Sequence, residues 1–348
     1  MDLRFWQSRK VPQHRPAARV MRSSAVVAGC AAMLALAACS SGGDTTTTSN
    51  GKTLTTITVG GVQTANLADL YAGLMNGVFK KYGINLEYQV LTPTAAVAAV
   101  DSGSIDIGDD GAGMVEGLIQ THAAKIFMQN GPGLFYLAVP KSIHTLADLR
   151  GKTVSASTPG GAIDTAIRDA LKAVGVTVGT GSGDVHMTYL QNNSAALVAL
   201  KNGTVDGAGV SPPTTVQAEQ EGMHLFPIVK YSYDSVWAVS NGFASSHHQA
   251  IVNFVKAFAV ATKDSISDQQ LCQAGLKKYV EITDQAQLTG SCQAYKNYLA
   301  AAPYPLSQLK EIEAGLKPPS TVSPASLVDN SYMNAAGKAN WVEVKGAQ

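Results

Sequence analysis

Two stretches of this chain, 100 residues apart, carry the same local plan. Residues 95–106, Ala-Ala-Val-Ala-Ala-Val-Asp-Ser-Gly-Ser-Ile-Asp, align without a gap to residues 195–206, Ala-Ala-Leu-Val-Ala-Leu-Lys-Asn-Gly-Thr-Val-Asp. Alanine-rich helices resemble one another cheaply. The shared Gly-x-φ-Asp exit (φ apolar), at Gly103–Asp106 and Gly203–Asp206, weighs more, because glycine stops a helix and the apolar residue opens a strand. A period of 100 is too long for a solenoid. It predicts two similar α/β lobes, a natural division for 348 residues.

The surrounding pattern agrees. Leu54 to Gly60 reads as a strand, and Gly61 to Asn66 as a turn with Asn66 as helix cap. Leu67, Leu70, Tyr71, Leu74 and Val78 follow at helical spacing up to Gly83. Ile84, Leu86, Tyr88 and Val90 alternate with polar residues, as a half-buried strand does. The second round runs from a strand at Lys152 to Ala156, through a helix over Ile163 to Val174, to a strand at Asp184 to Tyr189. Strand–helix–strand units build parallel sheets.

Charge is unevenly placed. The formal net charge is +1, but residues 1–38 hold six basic residues and one acid, leaving 20 basic and 24 acidic residues in 39–348. A near-neutral whole gives no basic footprint for a nucleic-acid partner. The basic stretch precedes an apolar run of 14 residues, Ala25 to Ala38, too short to span a bilayer at about 20 residues. This is the pattern of a signal peptide, and Met21-Arg22-Ser23-Ser24 would suffice as its basic start, so translation is expected to begin near Met21. Leu36-Ala37-Ala38-Cys39, followed by Ser40-Ser41-Gly42-Gly43, resembles the lipobox of bacterial lipoproteins. The resemblance implies cleavage before Cys39, diacylglycerol on its sulfur and a flexible tether over 39–52. The alternative is a buried cysteine in an N-terminal helix. In an oxidising compartment Cys272 and Cys292 are candidates for a disulfide; two separate buried thiols are the other reading.

Several further motifs share one family. Asn76-Gly77-Val78-Phe79-Lys80-Lys81-Tyr82-Gly83-Ile84 resembles the helix exit of type II solute-binding proteins of ABC importers. Leu146-Ala147-Asp148-Leu149-Arg150-Gly151-Lys152 is similar to their lead-in to the second lobe, and Asp101 to Gly108 and Gly203 to Gly207 continue the match. The branch most resembled is that of nitrate, sulfonate, taurine and thiamine-pyrimidine binding proteins. Residues 246–348 match it only loosely.

The resemblance implies an α/β fold with two lobes, mixed and mostly parallel sheets, and a cleft between them. Lobe 1 is expected at 53–136 plus 238–348 and lobe 2 at 137–237, with crossovers near Phe135 to Val139 and Ser235 to Asn241. Ligands of open parallel sheets bind beyond the carboxyl ends of strands. The corresponding loops hold Gln63, Thr64 and Asn66; Asp109, Asp110 and Gly111; Thr158, Gly160 and Gly161; and Ser211. Helix amino ends there suit an anion such as sulfonate or nitrate, or merely carry capping residues. Asp109, Asp110, Tyr233 and Trp237 instead suit a pyrimidine-like or amine ligand, or are a cap and hinge packing. Only two arginines, Arg150 and Arg168, follow residue 39, so no arginine clamp is evident.

Enzymatic signatures are missing from the sequence. There is no Gly-x-Ser-x-Gly elbow, no phosphate-binding Gly-x-x-x-x-Gly-Lys and no His-Glu-x-x-His. The expectation is a non-enzymatic substrate-binding lipoprotein, without metal or cofactor, monomeric, held by lipidated Cys39 on the outer face of the cytoplasmic membrane. Its partners would be a small molecule and the permease and ATPase of an ABC importer. The alternative is a surface sensor or interaction lipoprotein with the same fold.

Overall fold

The computed structural model describes residues 46–49, 52–190, 192–228, 236–315 and 323–343. The chain divides into two units, Met1–Gly43 and Asp44–Gln348, and every described residue belongs to the second. The leader, Cys39 and the start of the tether therefore lie outside the described residues. No helix among the described residues is long and apolar enough to cross a membrane.

The chain first lays down β1 (Thr46–Ser49), β2 (Lys52–Gly61), α1 (Ala68–Asn76), α2 (Val78–Lys81), β3 (Ile84–Val90), α3 (Pro93–Ser102), β4 (Ile107–Asp110), α4 (Ala112–Thr121) and β5 (Ala124–Gln129). It then builds β6 (Tyr136–Val139), β7 (Thr153–Ala156), α5 (Ala162–Ala173), β8 (His186–Tyr189), α6 (Asn193–Lys201), β9 (Gly207–Val210), α7 (Thr214–Gln220) and β10 (His224–Pro227). It returns as β11 (Val236–Ser240) and ends in helices: α8 (Asn241–Ser246), α9 (His248–Ser267), α10 (Gln269–Tyr279), α11 (Gln285–Tyr295), α12 (Leu306–Gly315) and α13 (Ser331–Ala336).

Two sheets result, and their orders correspond strand for strand. The first runs β3-β2-β4-β11-β5, with β1 also on β2; the second runs β8-β7-β9-β6-β10. In each the first three strands are parallel and the last two pairings antiparallel. The fourth strand of each sheet is contributed by the part of the chain leaving the other: β6 follows the first sheet, and β11 follows the second. Val236 to Ser240 is buried at every residue, as expected of a strand covered on both faces.

Each sheet carries apolar side chains on both faces. Ile57, Val59, Ile107 and Trp237 meet α1 and α9 on one face of the first sheet, while Val236, Ala238 and Ile126 meet α3, α4 and α12 on the other. The second sheet is covered likewise, by α5 against Leu137, Val139 and Val154 and by α6 against Ala138, Ala208 and Val210.

The repeated exit does the same work twice. Gly103 and Gly203 take φ of +71° and +69°, the left-handed conformation that ends a helix. The aspartate then pins its strand to the neighbour. Asp106 N–H donates to Thr58 O at 2.9 Å, and Asp106 Oδ2 accepts from Thr58 N–H at 2.7 Å. Asp206 makes the equivalent pair with Thr153 at 2.7 and 2.9 Å.

Three local expectations need correction. The helix read through to Gly83 breaks at Gly77, whose φ of +68° caps α1 before the short α2. Asn66 does not cap α1: it sits inside a 3-10 turn, Ala65–Leu67, that precedes the helix. Part of the expected tether is strand, since Thr46–Ser49 pairs antiparallel with residues 52–55. Threonine favours extended backbone, and the two residues between the strands, Asn50-Gly51, are a favoured hairpin pair in sequence terms.

Candidate functional site

The carboxyl ends of the parallel strands and the two crossovers between the sheets fall on the same ends of the strands. β5 ends at Gln129 and the chain crosses to β6, where Tyr136 is in register with Val210 at the end of β9. It crosses back before β11, where Val236 and Trp237 are in register with Asp110 and Asp109 at the end of β4. The site residues read from the sequence are distributed around these ends.

In the first sheet, β2 ends on Gly61. A side chain there would place its Cβ 2.3 Å from Asp109 O, so only glycine lets β2 and β4 run together to their ends. Beyond it, Gln63 is exposed and its Nε2 donates to Tyr279 O at the end of α10. The Thr64 hydroxyl donates to Asn66 Oδ1. Tyr88 Oη donates to Val62 O at 3.0 Å, closing the β2 loop against β3. Asp109 is 3% exposed. Asp110 lies next to Gly111 at the amino end of α4. Burial pushes its carboxyl up to about 6, with the Gly111 N–H opposing. Its Oδ2 is sealed from solvent without a hydrogen-bond partner.

In the second sheet, Thr158 and Gly160 are exposed in the loop after β7. The amino end of α5 does not wait for an anion. Asp164 Oδ2 accepts the Gly160 N–H at 2.8 Å, and Asp164 Oδ1 takes Arg168 Nε at 2.9 Å. Arg168 also reaches Tyr189 Oη at 3.0 Å. Gly161 N–H donates to Thr158 O at 3.2 Å. Ser211, after β9, accepts from Asn193 Nδ2 at 2.7 Å, and its carbonyl takes the Thr214 N–H at 2.9 Å.

Two residues named with the cleft stand apart. Tyr233 lies outside the described residues, as do Tyr231 and Asp234. Trp237 is fully buried, its ring centroid 5.5 Å from Phe254 and 4.8 Å from Phe258 of α9. Its ring faces core side chains rather than open space, because its place in β11 puts it on the α1–α9 face of the sheet.

The sequence reading missed Asp69, Asn130 and Thr262. Asp69 is fully buried at the start of α1, where Oδ1 accepts the Leu70 N–H at 2.9 Å and Oδ2 lies 3.0 Å from Thr262 Oγ1. With the Asn130 amide oriented to satisfy both of its ends, its nitrogen donates to Asp69 Oδ2 at 3.0 Å and Ala300 O at 3.2 Å. Desolvation, only partly offset by these donors, raises the Asp69 carboxyl to about 7. The network ties α1, α9 and the crossover after β5. One signal was available: Asp69 is the single charge between Asn66 and Phe79. Cys272 and Cys292 are bonded, with Cα atoms 6.1 Å apart, joining α10 to α11.

Residues 64–271, more than half of the chain and most of both sheets, match the NMT1/THI5-like family. The chain belongs to the NMT1/THI5-like family. No curated protein matches its sequence. Solved structures share its fold. A Bordetella bronchiseptica RB50 protein aligns with TM-score 0.67 at 16% identity, covering 82% of this chain and 97% of that one. The periplasmic aliphatic sulphonate binding protein SsuA of Escherichia coli aligns with TM-score 0.63 at 17% identity, covering 84% and 94%. The periplasmic nitrate-binding protein NrtA of Synechocystis PCC 6803 aligns with TM-score 0.64 at 15% identity, covering 82% and 89%. This NMT1/THI5-like chain thus has the two-lobed α/β fold of periplasmic binding proteins.

Proposed function

We propose that this protein is the solute-binding component of an ABC importer, working outside the cytoplasm and performing no chemistry on its solute. It captures a small molecule between the strand-end loops of the two sheets and hands it to a membrane permease driven by an ATPase. One observation carries the reading: two sheets of corresponding order, joined by two crossovers at the ends where Asp110, Thr158 and Ser211 lie. A solute touching both sets of loops favours the closed arrangement only through contacts that the open one lacks. Gln63, Thr64, Asn66, Asp109, Gly111, Gly160 and Gly161 complete the proposed site. Membership of the family and the fold shared with SsuA and NrtA support the same role.

The proposal includes export and anchoring through Cys39, which the Leu36-Ala37-Ala38-Cys39 sequence supports. The two acyl chains of a diacylglycerol on Cys39 would supply the double lipid anchor that stable membrane attachment takes. Native mass spectrometry of the freshly purified protein tests the binding role: one co-purifying small molecule in stoichiometric amount is the expected result. Repeated absence of any bound molecule, together with no stabilisation by a metabolite library, refutes it. Membrane fractionation of Cys39→Ser tests the anchor, with release from the membrane fraction expected.

A further inference from the structure

A binding site is legible in what it leaves unsatisfied. Most of the acids near the strand ends are satisfied within the chain. Asp69 holds Leu70 N–H, Thr262 and Asn130, and Asp164 holds Gly160 N–H and Arg168. Asp109 makes interactions of its own. Asp110 differs: the Gly111 N–H acts on its carboxyl, but the enclosed Oδ2 meets no donor. An enclosed carboxylate oxygen without a partner costs free energy and is rare in native proteins, so it calls for a reason.

Among the described residues no cationic side chain supplies one. Arg150 is committed to Gly175 O at 2.9 Å, and Arg168 to Asp164 and Tyr189. The ion pairs of Lys152 and Lys201 go to Asp206 and Glu221. At the same strand ends the features that would hold an oxoanion are already taken. The Gly160 N–H before α5 is filled by Asp164, and the Leu70 N–H of α1 by Asp69. Among the described residues an oxoanion here would find neither a free arginine nor these amides, and would meet the Asp110 carboxylate at close range.

We infer that the solute brings the missing charge: a cationic nitrogen, as in an amine or amidinium, donates an N–H to Asp110 Oδ2, and nitrate- or sulfonate-like anions are rejected. This rests on the solute-binding reading and specifies its ligand class. Such charge-assisted bonds are short and roughly twice as strong as neutral ones. Oδ2 is sealed in this conformation, so the inference requires the loop after β4 to open before a solute can reach it. The arrangement gives discrimination in both directions, since the wrong sign of charge is repelled as well as left unpaired.

The test uses the full-length protein in detergent, at neutral pH and fixed ionic strength. Ethylammonium, agmatine and benzamidinium are compared with nitrate, ethanesulfonate and benzoate by thermal shift, and any hit is followed by calorimetry. The expected result is saturable stabilisation by at least one cation and by none of the anions. Asp110→Asn should weaken that cation at least tenfold, while its ligand-free melting temperature stays at or above that of the unaltered protein. Saturable binding of an anion, no response to any of the three cations at millimolar concentration, or undiminished cation binding by Asp110→Asn each overturns the inference. The unaltered protein decides the first two outcomes even if the variant does not fold. An anionic or neutral molecule co-purifying with the protein would also overturn it, and would leave the solute-binding reading standing.

Discussion

Replacing Asp69 with asparagine should shift stability progressively in the variant's favour as pH rises. The side chain is fully buried and its carboxyl is raised from 3.8 to about 7, chiefly by desolvation. In the unfolded chain it ionises near 3.8. Between these values the unfolded state binds fewer protons than the folded state, so stability falls as pH rises. The favourable difference is fully present below 3.8 and is gone once pH passes about 7. At about 1.4 kcal/mol per pH unit, the loss across the window is about 4 kcal/mol. Asparagine has no proton to lose and keeps the Leu70 and Thr262 contacts. Thr262 Oγ1 lies 3.0 Å from both Phe258 O and Asp69 Oδ2. If its single proton goes to Phe258 O, its lone pair accepts from a protonated carboxyl or from an amide. The Asn130 nitrogen keeps Ala300 O and loses its acceptor at position 69, a cost to the variant that does not vary with pH. Urea denaturation of both proteins, followed by tryptophan fluorescence at half-unit steps from pH 5 to 8, isolates the effect because other groups cancel in the difference. The stability of Asp69→Asn relative to the unaltered protein should rise by about 3 kcal/mol over that range. Parallel stability curves would refute the assignment of a largely protonated, buried Asp69.

Two further perturbations probe the packing. Trp237→Ala removes a fully buried ring from between Phe254 and Phe258, and should cost about 3–5 kcal/mol in denaturation experiments; a loss below about 1 kcal/mol would place the ring outside the core. Paired substitution of Cys272 and Cys292 by serine opens a loop of sequence separation 20 and should lower stability by about 3 kcal/mol. Adding reductant to the unaltered protein should produce the same fall in melting temperature, and no change with reductant would show that the bridge does not form.

The parts of the fold that were legible in the sequence are those set by local rules. A glycine that must take positive φ and an aspartate that must reach back to a neighbouring strand left the same trace at 103–106 and 203–206, and the structure uses both alike. β11 could be read as a strand from Trp237-Ala238-Val239-Ser240, but not the direction of the Trp237 ring. That depends on which neighbours flank the strand, and a strand buried on both faces has no alternation to reveal it. The α5 end looked open to an anion because Asp164 reads as an ordinary first-turn acid; its reach back to Gly160 is a matter of rotamer. The Asp69 network joins residues 69, 130 and 262, and no spacing rule connects them. Asp110 was legible as a candidate, whereas its lack of a partner is a property of the packed whole.

The exchange of strands between the two sheets also bears on when this protein can finish folding. At the end of residue 129 the chain holds β2, β3, β4 and β5, but β4 and β5 are separated by the width of one strand, and only β11 joins them. That strand comes more than a hundred residues later. The helix that covers its tryptophan comes later still. Contacts so distant along the chain form slowly. An amino-terminal segment emerging on its own therefore has a gap in its sheet that nothing yet made can fill. The first sheet of such a chain stays incomplete until almost three-quarters of the chain has been made.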